Sequence, residues 1–182
     1  MKAKKSKTWS KKAARAGAKL FDRRNFRHAL GQFATGVTII TARAKDGRAI
    51  GLTVNSFTSV SLDPPLVLWC LSRQATEFAA LNAAIHFAVN VLSARQHHLS
   101  RQFATTLANK FTGVESEEAL DASPLLKGAT AHFICRVAGR FDAGDHVIIL
   151  GEVEEYRWNE GEPLVFHSGR YHVTTRHPDL PD

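Results

Sequence analysis

Cysteine is scarce in this chain: only Cys70 and Cys135 occur among 182 residues. Both lie inside apolar runs, with no C-x-x-C pair and no nearby histidine ladder of ligand spacing. That argues against a zinc module or a disulfide scaffold and for two buried thiols in a reducing compartment. Long apolar runs are missing too. Stretches such as Leu66 to Leu71 and Val147 to Leu150 fall far short of the roughly 18 residues that cross a bilayer as a helix. The common nucleotide fingerprints are absent, for no G-x-G-x-x-G follows a strand and no G-x-x-x-x-G-K-[ST] occurs. Any nucleotide is therefore held by something other than a Rossmann or P-loop cradle. G-x-S-x-G and H-E-x-x-H are missing as well, which sets aside two large hydrolase classes.

Acid is missing from the start of the chain. Residues 1 to 24 hold ten Lys or Arg and a single acid, Asp22, for +9, while the remaining fourteen bases and sixteen acids give residues 25 to 182 a net −2. The pI of 9.7 thus describes an arm. The body offers no broad basic face, which disfavours nucleic acid as its partner. Residues 1 to 20 offer only Trp9 and Leu20 as large apolar groups, and the arm is expected to be disordered over residues 1–21. It is either a solvated extension or a contact for an acidic partner protein or nucleic acid. No apolar core of a secretory signal follows its charges, and the expected location is cytoplasmic.

What is present is enough for one core: 44% of residues are hydrophobic and 23% charged, the proportions of a folded soluble domain. Asp22 is a plausible N-cap for a helix whose Phe26, Ala29, Leu30 and Phe33 share one face and which Gly36 is expected to end. Val37 to Ala42 and Ala49 to Val54, joined across Lys45-Asp46-Gly47-Arg48, predict a hairpin. Leu66 to Leu71 reads as a strand buried on both faces, Thr76 to Leu81 as a short helix, and Ile85 to Leu92 as another strand. Ser93-Ala94-Arg95-Gln96 matches a capping box that opens a helix to about Ala104. Residues 105–129 lack a period and are expected to form a loop with a helical turn. Ala131 to Phe141 and His146 to Tyr156 predict a second hairpin across Asp142-Ala143-Gly144-Asp145, and Pro163 to Phe166 a last short strand. Too few helices are present to cross over between parallel strands, so the pattern predicts a mainly β protein with an antiparallel barrel and a few flanking helices.

Two runs concentrate polar groups after strands. Thr53 to Ser61 carries five hydroxyls and one amide in nine residues, and Ser72-Arg73-Gln74-Ala75-Thr76 follows the apolar strand. Hydroxyls, an Arg fork and free backbone N–H groups can hold a phosphate, and an Asn can meet both edges of a heterocycle. The same runs also suit Ser/Thr turns that cap their neighbours.

The ordered blocks Phe33-Ala34-Thr35-Gly36-Val37-Thr38, Gly51-Leu52-Thr53-Val54-Asn55-Ser56-Phe57 and Ser59 to Leu66 resemble the flavin reductase-like family of FMN-binding split barrels. Phe87 to Leu92, Lys110-Phe111, Gly144-Asp145-His146, and Pro163 to Phe166 with Gly169-Arg170-Tyr171 continue the likeness in order. The resemblance implies a six-stranded antiparallel split β-barrel of Greek-key type over residues 22–175, followed by a tail over 176–182. It implies an NAD(P)H:flavin oxidoreductase that takes FMN or FAD as flavin and NADH or NADPH as hydride donor. It further implies a homodimer with flavin sites near the subunit interface, and a flavin-dependent monooxygenase that receives the reduced flavin. A flavin-binding module or an oxidase without reductase turnover is the alternative.

On this resemblance Thr35, Gly36 and Val37 lie beside the flavin, where a residue without Cβ lets backbone approach a flat ring. Thr53, Val54, Asn55 and Ser56 meet its ring and ribityl chain, with Ser59, Asn90 and Phe111 as further contacts. Ser72, Arg73, Gln74 and Thr76 hold the phosphate end. His146 lies near the nicotinamide, as the catalytic residue or as a histidine capping its hairpin, and Arg170 and Tyr171 close the same pocket. No metal site is expected.

Overall fold

The structure is a computed structural model that describes residues 21–119 and 121–179. The expected arm, apart from Phe21, and residues 180–182 of the expected tail lie outside the described residues. In chain order the elements are α1 (Arg23–Leu30), β1 (Thr35–Gly36), β2 (Thr38–Arg43), β3 (Ala49–Val54), β4 (Thr58–Leu62), β5 (Pro65–Ser72), α2 (Phe78–Ala83) and β6 (His86–Val91). A 3-10 turn (Ala94–Gln96) leads into α3 (His97–Phe103), followed by β7 (Ser116–Glu118), β8 (Pro124–Leu126), β9 (Ala131–Ala143), β10 (His146–Trp158), β11 (Val165–His167) and β12 (Arg170–His172).

Local chemistry explains these boundaries. Asp22 caps α1 by accepting from the backbone N–H groups of Arg24 and Asn25 at 2.8 and 3.1 Å. The helix stops at Leu30 and not at Gly36, because the Gly31 carbonyl is taken by the Ser168 N–H at 2.8 Å. β2 and β3 form the expected hairpin, with Gly47 at φ +81 in its turn. Ser93 and Gln96 form the expected capping box, the Gln96 side chain accepting from the Ser93 N–H at 3.1 Å. β9 and β10 pair along their length, and Gly144 at φ +64 takes the first central place of their two-residue turn, a position that favours glycine.

Seven strands form one antiparallel sheet in the order β3-β2-β6-β9-β10-β5-β4. The protein is mainly β with few helices, as expected, but this sheet has one strand more than the six expected, and its two edges do not pair. β1, β11 and β12 make a separate small sheet, and β7–β8 a short hairpin within the stretch expected to be a loop with a helical turn. β5 alternates, with Val67, Trp69 and Leu71 buried and Leu66, Leu68 and Cys70 partly exposed. The expectation of burial on both faces gives way to the one-sided burial normal in antiparallel sheets.

The sheet curls strongly onto its apolar face. β5 and β6 are separated by β10 and β9, or about 14 Å at the usual ~4.8 Å spacing of a flat sheet. Trp69 of β5 and Phe87 of β6 nevertheless meet edge to face with ring centroids 5.8 Å apart. Glycine makes room for this contact, since a Cβ at Gly151 of β10 would lie 2.5 Å from the Phe87 ring. The curl also carries the end of β3 across to β5: the Ser56 hydroxyl accepts from the Cys70 N–H at 2.9 Å. Among the described residues no helix is long and apolar enough to cross a membrane.

Candidate functional site

The curl gathers the ends of β3 and β5 with the β9–β10 turn. Ser72, the last residue of β5, is the cross-strand partner of His146, the first of β10. The chain then turns back, with the Ala75 N–H bonded to the Ser72 carbonyl at 3.0 Å and the Gln74 N–H to the Ser72 hydroxyl at 3.3 Å. The Arg73 N–H donates to the Asp145 carbonyl at 3.0 Å, and its guanidinium pairs with Asp142. The residues expected to hold the phosphate and His146 therefore form one group, with Arg73, Gln74 and Thr76 exposed at its surface.

His146 Nδ1 lies 2.7 Å from Asp145 Oδ1. That hydrogen bond, with the attraction of the imidazole, holds the Asp145 carboxyl below its ordinary range, and the charge of Arg23 at the start of α1 adds to the effect. In the neutral ring, a proton on Nδ1 donated to Asp145 leaves Nε2 as an acceptor, whereas the charged ring donates from both nitrogens.

A second group surrounds the other end of α1. The Gln32 side chain donates to the Ser168 hydroxyl at 3.2 Å, in the turn between β11 and β12. Thr35 pairs with Phe166 across β1 and β11. Tyr171 of β12 packs on Phe166 with centroids 5.5 Å apart, lies under the Arg101 guanidinium at 5.8 Å, and shares a hydrogen bond with the Ser100 hydroxyl at 2.9 Å. The Ser100 carbonyl accepts from the Thr53 hydroxyl at 2.7 Å. α1 has eight residues and is thus about 12 Å long at ~1.5 Å per residue. The turn that follows it is bonded to the hairpin that carries Arg170 and Tyr171.

The structure corrects one expected contact and locates others. Asn90 is fully buried and its amide is consumed inside the protein: Nδ2 donates to the Ile39 carbonyl at 2.9 Å and to the Thr41 hydroxyl at 3.0 Å, while Oδ1 accepts from the Leu126 N–H at 2.7 Å. It locks β8 onto β2 and β6 and keeps no group for a ligand. Val37 and Val54 bury their side chains in the core, so only their backbone can face a flavin. Phe111, partly buried, packs edge-on against Phe103 of the smaller core, centroids 4.9 Å apart. Ser59 lies exposed on the edge strand β4.

The cradle nonetheless fits a planar, polar-edged ligand. The Thr35 hydroxyl is buried without a hydrogen-bond partner, a state that costs free energy until a partner arrives. Beside it, a Cβ built on Gly36 would meet nothing within 4 Å, so the backbone there faces open space. Asn55 is exposed just past β3. Two surface cavities, of about 830 and 530 Å³, contain none of these residues. The candidate site is an open track along the surface.

Sequence reasoning missed Ser100 and Arg101, because they belong to a helix read only for its amphipathic pattern, and Asp142, read only as a turn residue.

Comparison with known proteins gives the class to which this fold belongs. Residues 30–175 match the model of the flavin reductase like domain, and the chain belongs to that family. It is 47% identical over 148 residues to the FMN reductase (NADH) SmoA of Agrobacterium fabrum, covering 81% of this chain and 84% of that protein. It is 39% identical over 155 residues to the reductase subunit HsaB of a flavin-dependent monooxygenase from Rhodococcus jostii, covering 85% and 79%. A solved structure, the NADH:FAD oxidoreductase of Streptomyces globisporus in complex with NAD and FAD fragments, superposes with a TM-score of 0.80 at 40% identity, covering 88% of this chain and 96% of that one. Some matches are longer proteins: the chain spans only 53% of an oxidoreductase from Sinorhizobium meliloti.

Proposed function

We propose that the protein catalyses NAD(P)H-dependent reduction of free flavin, FMN or FAD, and supplies reduced flavin to a partner flavin-dependent monooxygenase. The likeness to the NADH-dependent FMN reductase over most of both chains carries this reading, and the track of polar groups agrees with it. Bound flavin supplies an electron-pair acceptor at N5 for the hydride of nicotinamide C4, which leaves oxidised nicotinamide and anionic reduced flavin.

The chain's own work is positional. Gly36 lets the backbone approach the ring face, the Thr35 hydroxyl and Asn55 meet its polar edge, and Ser56 stays bound to β5. Ser72, Arg73, Gln74 and Thr76 take the phosphate end. Arg73 exchanges part of its pairing with Asp142 for that phosphate, as a planar fork can. His146 presents Nε2 to the carboxamide N–H of the nicotinamide, and Asp145 fixes the ring that does so. Arg170 and Tyr171 bound the other side. Hydride transfer needs no acid or base at carbon, so holding the two rings at near-attack separation is the main catalytic contribution.

On the same reading the curled sheet is the family's split barrel, with β4 added at one edge, and the protein works as a homodimer in the cytoplasm. An open track fits this, because a second subunit would cover it. Phe26 and Leu30 of α1, and Phe33 just past its end, are exposed, an apolar surface suited to such cover. The test is NADH oxidation followed at 340 nm with and without added FMN, then FAD. Flavin binding without oxidation would move the function to a binding module or an oxidase.

A further inference from the structure

Ser100 stands at a junction that neither the flavin groups nor the nicotinamide groups explain alone. It is 1% exposed, and both of its polar ends are engaged: the carbonyl by the Thr53 hydroxyl, the hydroxyl by the Tyr171 phenol. Thr53 belongs to β3, the strand that ends in Val54 and leads into Asn55 and Ser56. Tyr171 belongs to β12, in the small sheet that also holds Thr35. The two sheets share no strand, so α3 bridges them.

Three contacts fix the bridge. The Phe103 ring fills the space over Gly51, where a Cβ would lie 2.6 Å from it. The buried Lys110 ammonium donates to the Gly51 carbonyl at 3.2 Å and to the Phe103 carbonyl at 3.3 Å, tying the end of α3 to β3. The bond from Thr53 to Ser100 is the third. With α3 pinned to β3 in this way, the Ser100 hydroxyl is a fixed point from which the Tyr171 phenol is held.

We propose that Ser100 is a positioning residue that holds the dinucleotide side of the site in register with the flavin side, by way of Tyr171 and Thr53. The inference rests on the proposed function and adds a residue to it. Replacing Ser100 by Ala removes the bond to Tyr171 but keeps the carbonyl that receives Thr53. The two ends of the bridge therefore separate experimentally.

The test combines flavin affinity, read from quenching of FMN fluorescence, with steady-state kinetics of Ser100→Ala, Tyr171→Phe and the double variant. Ser100→Ala is expected to leave the FMN dissociation constant within about twofold and to raise the KM for NADH about threefold to tenfold, the usual effect of one lost hydrogen bond. Thr53→Val is expected to weaken FMN. Tyr171→Phe should match Ser100→Ala, and the double variant should be no worse than either, because one bond is lost in all three. Losses that multiply in the double variant, or an FMN constant that moves with Ser100→Ala while KM stays put, would overturn the assignment. An active parent with those results would sink this inference alone. A parent that leaves NADH unoxidised in the presence of flavin would remove the proposed function and this inference with it.

Discussion

At His146 the decisive observation is which nitrogen is free. The 2.7 Å bond between Nδ1 and Asp145 orients the ring and leaves Nε2 for a ligand, as neighbouring carboxylates commonly do for working histidines. His146→Ala should therefore slow hydride transfer about tenfold or more through lost orientation, with little change in flavin affinity. Single-turnover stopped flow checks this, and equal rates in variant and parent would take His146 out of the mechanism. Asn90 teaches the opposite lesson at the same scale. An amide in a strand looks like a ligand group in the sequence, yet the acceptors at Ile39 and Thr41 and the donor at Leu126 use all of it. Those partners come from β2 and β8, far away in the chain, so no local pattern announces them.

On the proposed function, β1 is the element that most directly meets the flavin. It has only two residues, held by β11 on one side, and the space over Gly36 is open. A branched side chain there would not disturb the fold but would occupy the ligand's place. Gly36→Val is expected to keep the parent's melting temperature and to raise the FMN dissociation constant about tenfold, or ~1.4 kcal/mol. Fluorescence titration beside thermal unfolding checks both halves, and unchanged affinity would place the ring elsewhere. The longer elements were legible in the sequence because punctuation bounds them: Asp46-Gly47 between β2 and β3, Gly144-Asp145 between β9 and β10, and the capping box before α3. β4, β7, β8 and β12 were not, since strands of three to five residues carry too little periodicity to register. The end of α1 was missed because Ser168 of a distant hairpin sets it.

For the whole molecule, the curl that joins Trp69 to Phe87 decides where the site lies, and no stretch of sequence contains it. The ordered blocks from Phe33 to Tyr171 made the family legible, yet the track's open side is a property of one subunit. A homodimer is the expected state, with the exposed apolar groups of α1 near the track and the site shared or covered at the interface. Sedimentation at micromolar concentration should give twice the chain mass of 20.1 kDa, and a monomer that retains full activity would contradict the covering role. The account as a whole rests on one reaction. The absorbance of NADH at 340 nm, followed with the purified protein alone and then with FMN or FAD, is predicted to fall rapidly only when flavin is present. No fall with either flavin, from NADH or NADPH, despite saturable flavin binding, would contradict the reductase and leave a flavin-binding protein in its place.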